Sequence, residues 1–134
     1  MAPQFSRRNK TCDHPRLATA DPKVLDLAHL ARYTVGNREL EVELLRLFRS
    51  QLRDQASAIR NAMDAETWKF ATHTLKGVAL SIGAWSIAET AERLEQFGHA
   101  GEVSERRRLL EALEVHTVAC EREIDRIIEV PPAP

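Results

Sequence analysis

At 134 residues with 43% hydrophobic and 29% charged positions, the chain is long enough for one domain with a single core and too short for a second catalytic module. No apolar run approaches the ~20 residues that a membrane-spanning helix needs. Arg7, Arg8 and Lys10 are not followed by the apolar stretch of a secretory signal. The net charge of −1 conceals a division. Residues 1–23 carry five Lys/Arg against two Asp, a surplus of three, which leaves the remainder at −4. The first 23 residues are therefore expected to be a disordered basic tail. Their few cations, with only Phe5 as an aromatic, make a poor nucleic-acid surface. Cys12 and Cys120 are far apart and form no C-x-x-C, so neither a zinc site nor a disulfide framework is suggested, and a cytoplasmic setting is the simplest expectation.

Every periodic segment is helical; none alternates with the period of a strand. Asp26 can cap a short helix from about Leu27 to Thr34, closed by Gly36. Asn37 caps the next, about Arg38 to Ala62, with Leu40, Leu44, Leu45, Leu47, Phe48, Leu52, Ile59 and Met63 spread over more than one stripe. Asp64 opens a third helix from about Ala65 to Ser81, stopped at Gly83. A fourth runs from about Ala84 to Phe97, with Gly98 as its terminator. Ser104 opens the last, where Leu109, Leu113, Thr117, Cys120, Ile124, Ile127 and Ile128 recur at threes and fours before Pro131 and Pro132. Short linkers between long amphipathic helices make sequential neighbours antiparallel. The expected fold is all-α: an antiparallel four-helix bundle with a short leading helix over residues 24–130, followed by a Pro-rich end, 131–134.

The third helix carries the chemistry. At about 100° per residue, Trp68, Ala71, Leu75, Val78 and Ile82 share one face, and His73 points to the opposite side. Lys69, Phe70, Lys76, Gly77 and Leu80 lie within roughly 60° of His73 by the same geometry. Between Thr67 and Ala88 the only charged residues are Lys69 and Lys76, so the imidazole is expected to stand among cations and clear of carboxylates. A lone helical histidine is most often just a solvated residue. Its neighbours shift that balance. An interior helical glycine costs about 1 kcal/mol relative to alanine, and Gly77, one turn past His73, would let another protein's surface approach the ring. Lys76 can offset phosphoryl charge as a point cation. Phe70 and Leu80 supply apolar surface for transient docking, with core packing as the competing reading. A free imidazole titrates near 6.5, so a surface ring offers a nucleophilic nitrogen at neutral pH without an activating partner.

These residues resemble the signature of histidine-containing phosphotransfer (HPt) domains: a His, then an apolar residue, Lys and Gly, with Gly-Ala a turn and a half later. His73, Leu75, Lys76, Gly77, Ile82, Gly83 and Ala84 stand in that spacing. Leu44-Leu45-Arg46-Leu47-Phe48 is similar to the family's second-helix run, and Ala88 to Glu95 to the helix after the signature, so the likeness covers roughly residues 24–128. It implies a phosphocarrier, not an autonomous kinase, that exchanges a phosphoryl group with receiver-domain aspartates in a multistep two-component phosphorelay. By the same resemblance His73 is phosphorylated on its distal ring nitrogen, Lys76 stabilises charge and Gly77 gives clearance. Phe48, Leu80 and Ser81 fall where the family docks partners or supports the site. Val78 and Ser81 depart mildly from the residues common there. The partners implied are receiver domains of response regulators or hybrid histidine kinases, which bring the Mg²⁺. No cofactor or metal of its own is expected, nor any nucleic acid or membrane, and the expected state is a monomer.

Three other readings compete. A dimeric kinase-type bundle would place an acidic residue directly after the histidine, where this chain has Thr74. A receiver-binding adaptor without phosphotransfer would be expected to lose His73 first. A metal–carboxylate bundle needs Glu-x-x-His, but Phe70 precedes His73 and Leu113 precedes His116 at that offset. No Gly-rich phosphate loop is present.

Overall fold

The computed structural model describes residues 24–129; the expectations for residues 1–23 and for the Pro-rich end fall outside them. Five helices follow in order: α1 Leu27–Thr34, α2 Arg38–Arg60, α3 Ala65–Ile82, α4 Trp85–Phe97 and α5 Val103–Glu129. Among the described residues there is no strand. Three starts are capped as their sequences dictate. The carboxylate of Asp26 accepts from the His29 amide, Asn37 from Leu40 and Asp64 from Thr67, each satisfying a backbone donor that has no partner within its own helix. The Thr67 amide bond holds the Asp64 carboxyl below its ordinary range.

Boundaries moved where the cap differs from expectation. α2 stops at Arg60 instead of Ala62. α4 starts at Trp85, after an Ala84 that offers no side-chain cap. At the start of α5, the Glu102 carboxylate accepts from both the Ser104 hydroxyl and the Glu105 amide. The helix thus begins at Val103, and Ser104 is a donor inside its first turn rather than its cap.

α2 packs on α3, α3 on α4, α4 on α5, and α5 closes the ring on α2; α1 lies against α2 and α3. The core takes Leu45, Phe48, Leu52 and Ile59 from α2 and Trp68, Leu75 and Ile82 from α3. Ile87 and Leu94 join from α4, and Leu113, Cys120 and Ile124 from α5. Each large aliphatic side chain buried this way contributes on the order of 1.5–3 kcal/mol. Ala71 and Ala79 of α3 and Ala88 and Ala91 of α4 are also buried, and their small side chains let these two helices approach closely. Burial pushes the Cys120 thiol up to about 12, so it packs as a small apolar group. Two residues break the expected pattern: Leu47 is 59% exposed and Met63 is 88% exposed. Leu47 lies on the outer side of α2, and Met63 lies in the turn after it, so neither joins the core.

Two polar devices set the register that the site depends on. Between α2 and α5, Arg49 pairs with Asp125, Arg53 with Glu121 at 2.9 Å and Arg60 with Glu114 at 3.2 Å. The partners advance four and then seven residues along α2 while they retreat four and then seven along α5, as an in-step antiparallel pair must. Between α3 and α4, the indole Nε1 of buried Trp68 donates to the Leu94 carbonyl at 2.8 Å. That bond pins α4 at the residue preceding Glu95.

Candidate functional site

The site is built on the outer face of α3. Trp68, Ala71, Leu75, Ala79 and Ile82 anchor the inner face, so the 3.6-residue period turns His73 to solvent, with 70% of its side chain exposed. Gly77, one turn further, is exposed as well, and a Cβ placed there would meet nothing within 4 Å. The backbone at Gly77 has no internal need for glycine. What its missing side chain provides is space in front of His73.

The sequence left the imidazole clear of carboxylates. That holds along α3 but fails across the seam. Glu95 of α4 brings Oε2 to 3.3 Å from His73 Nδ1 and Oε1 to 3.6 Å from Lys76 Nζ. Its side chain is only 20% exposed, so one largely covered carboxylate faces two basic groups. The signal for it lay in the register. His73 and Glu95 stand eleven residues before and after Ala84, and an antiparallel pair folded about that turn brings them level. A carboxylate beside Nδ1 favours the tautomer with its proton there. Nε2, on the far side of the ring, has no partner among the described residues.

The remaining candidates divide. Phe70 is 72% exposed and Leu80 is 45% exposed, so for both the core-packing reading is excluded and apolar surface flanks Gly77. Lys69 is exposed and has no ionic partner among the described residues. Phe48 is buried; it supports α2 from beneath and cannot line a docking surface. The Ser81 hydroxyl donates to the Val78 carbonyl at 2.7 Å within its own helix and is not directed at the imidazole. Leu47 was missed. Expected to face inward, it lies instead on the exposed side of α2, and counting back through the α2–α3 turn sets it level with Gly77 and Val78. The face around His73 is therefore asymmetric: Lys76 turns to the α4 side, where Glu95 meets it, Gly77 and Phe70 turn the other way, and Leu80 lies within about 20° of His73.

Two of the other described histidines are engaged differently. His99 Nε2 lies 3.1 Å from the Ala62 carbonyl, and its ring packs edge-on to Trp68. His29 sits between Tyr33 and Trp85. Among the described residues no group of three or more His, Cys, Asp or Glu side chains could hold a metal ion, and no helix is long and apolar enough to cross a membrane.

A helical bundle that presents one solvent-facing histidine beside a lysine and a cleared glycine defines a class of phosphoryl carrier, and comparison with known families agrees. The family model for the Hpt domain matches residues 43–129, and the chain belongs to that family. Hpt domains serve phosphotransfer in two-component signalling, with receiver domains of response regulators as their partners. No curated protein and no solved structure matches the chain.

Proposed function

We propose that this protein is a phosphorelay intermediate in which Nε2 of His73 takes a phosphoryl group from a receiver aspartate and returns it to another. The observation that carries the reading is the division of the ring: Nδ1 against the Glu95 carboxylate, Nε2 open to solvent beside Gly77. In the forward step the Nε2 lone pair attacks phosphorus, a P–N bond forms, and the P–O bond to the aspartate breaks, releasing its carboxylate. The Nδ1 proton stays in place, so the phosphorylated ring is cationic and Glu95 lies where it offsets that charge. Lys76 faces the phosphoryl oxygens. The reverse step uses the same groups, and direction follows from which receiver is phosphorylated.

The chain supplies position and charge; the receiver supplies the activated acyl phosphate and its Mg²⁺. Docking is assigned to the exposed face around His73, where Phe70 and Leu80 present apolar surface beside the clearance at Gly77 and exposed Leu47 extends it onto α2, whereas Lys76 and Glu95 occupy the α4 side. A monomer in the cytoplasm suffices for this role, since one histidine per bundle completes the transfer.

The test is a short-time transfer profile, with the protein incubated against a panel of phosphorylated receivers. Rapid labelling from a small subset, reversible when unphosphorylated receiver is added in excess, is the expected result. Stable binding to receivers without any label on His73 would favour the adaptor reading instead.

A further inference from the structure

The Hpt match begins at residue 43, so α1 and the first turn of α2 lie ahead of the matched domain, and the way α1 is attached is unusual. Asp26 latches its start, while at its end the Thr34 hydroxyl donates to the Glu41 carboxylate of α2 at 3.2 Å. The Asp26 amide donates to the Gly83 carbonyl at 2.9 Å, and its carboxylate accepts from the His29 amide and from Trp85 Nε1, each at 3.1 Å. The seat admits only glycine. Gly83 has φ +88°, and a Cβ there would lie 3.0 Å from both the Asp26 carbonyl oxygen and its Cβ. At the other end of α1, Val35 takes φ 50° and ψ 41°, a left-handed conformation that is a genuine outlier for a β-branched residue. Gly36 follows at φ 78°. Beneath the helix, His29 Nε2 is buried with no hydrogen-bond partner, a cost that release to water removes. Leu25, Leu30 and Thr34 are buried and hold the helix down.

We propose that α1 is a strap that opens as a unit over a folded α2–α5 bundle, hinged at Val35-Gly36 and latched by Asp26 on Gly83. Eight residues cannot sustain an isolated helix, so release and unwinding are one event. The latch grips the turn that ends the His73 helix. Gly83 and Ala84 both donate to the Ala79 carbonyl, so opening loosens the last turn of α3, which carries Leu80 and Ser81. The strap thereby regulates the docking surface; this consequence, though not the opening itself, rests on the phosphorelay reading.

Amide hydrogen exchange by NMR on the full chain tests it, comparing wild type with Asp26→Ala and Val35→Asn. In wild type, the amides of α1 should exchange at least tenfold faster than those of Leu52 and Cys120, as a separate sub-global opening. Asp26→Ala should speed α1, Gly83 and Ala84 by roughly tenfold or more and leave Leu52 and Cys120 unchanged. Val35→Asn, which tolerates the left-handed conformation, should slow α1 by roughly fivefold. Equal exchange of α1 and core amides in all three proteins, or unfolding of the whole chain by Asp26→Ala, would overturn the strap. Unchanged rates at Gly83 and Ala84 while α1 speeds up would overturn its coupling to α3. Phosphate uptake, measured separately, reports on His73 alone: its loss with normal strap exchange would count against the relay and not against the strap.

Discussion

Along the seam between α2 and α5, Arg49, Arg53 and Arg60 each meet one carboxylate, whereas along the seam between α3 and α4 the single carboxylate of Glu95 faces both His73 and Lys76. The first seam is balanced pair by pair. The second carries a surplus positive charge whenever the imidazole is protonated, and the anionic oxygens of a phosphoryl group would offset it. Placement is similar: Glu121 is as covered as Glu95, and Arg53 and Glu114 stand well out in solvent as His73 does, where screening leaves an ion pair roughly 0.2–1 kcal/mol. Similar residue types therefore align helices at one seam and hold a reactive group at the other.

The sharpest contrast comes from deletion of the reactive group. His73→Gln should abolish uptake of labelled phosphate and change stability by less than about 0.5 kcal/mol, because the side chain buries little. Uptake that persists in this variant, carried by His29, His99 or His116, would erase the distinction between the seams. Next in size, Glu95→Ala should slow transfer by about tenfold, a moderate loss because most catalytic groups belong to the receiver. Glu95→Gln should recover much of that rate, since its amide oxygen can still accept from Nδ1–H. If Ala and Gln variants transferred equally, Glu95 would be a packing residue. Lys76→Ala should cost several-fold and Lys76→Glu clearly more, on the order of tenfold beyond it. Equal rates for the two would make Lys76 a solvated helix residue only.

The smallest effect belongs to the balanced seam. Arg53→Ala should lower stability by no more than about 1 kcal/mol in denaturant titration and leave the transfer rate unchanged. A transfer defect there, without unfolding, would show that the α2–α5 ladder reaches the site.

Most of the bundle was legible because its signals are local. Asp26, Asn37 and Asp64 each precede an apolar period by the right offset, and each caps a helix. The misplaced start of α5 came from a cap that uses Glu102, a longer carboxylate than the usual capping residues. Val35 was unreadable, because nothing in a valine announces a left-handed φ. His73, Lys76 and Gly77 lie on one helix and could be related by angle alone. Glu95 could not, since its role exists only once α3 and α4 are set in register, and Leu47 needed the same step to move from presumed core to surface. Phe48 shows the converse: resemblance placed it near the site without saying which side of the backbone it occupies.

The central claim is that the phosphoryl group resides on Nε2 of His73 while Nδ1 stays protonated against Glu95. Long-range proton–nitrogen correlation of the imidazole, recorded after phosphorylation by a phosphorylated receiver, reads this directly. The expected spectrum shows a single modified histidine, His73, with the phosphoryl on Nε2 and a protonated Nδ1. Phosphate on Nδ1, or on any histidine other than His73, would contradict it.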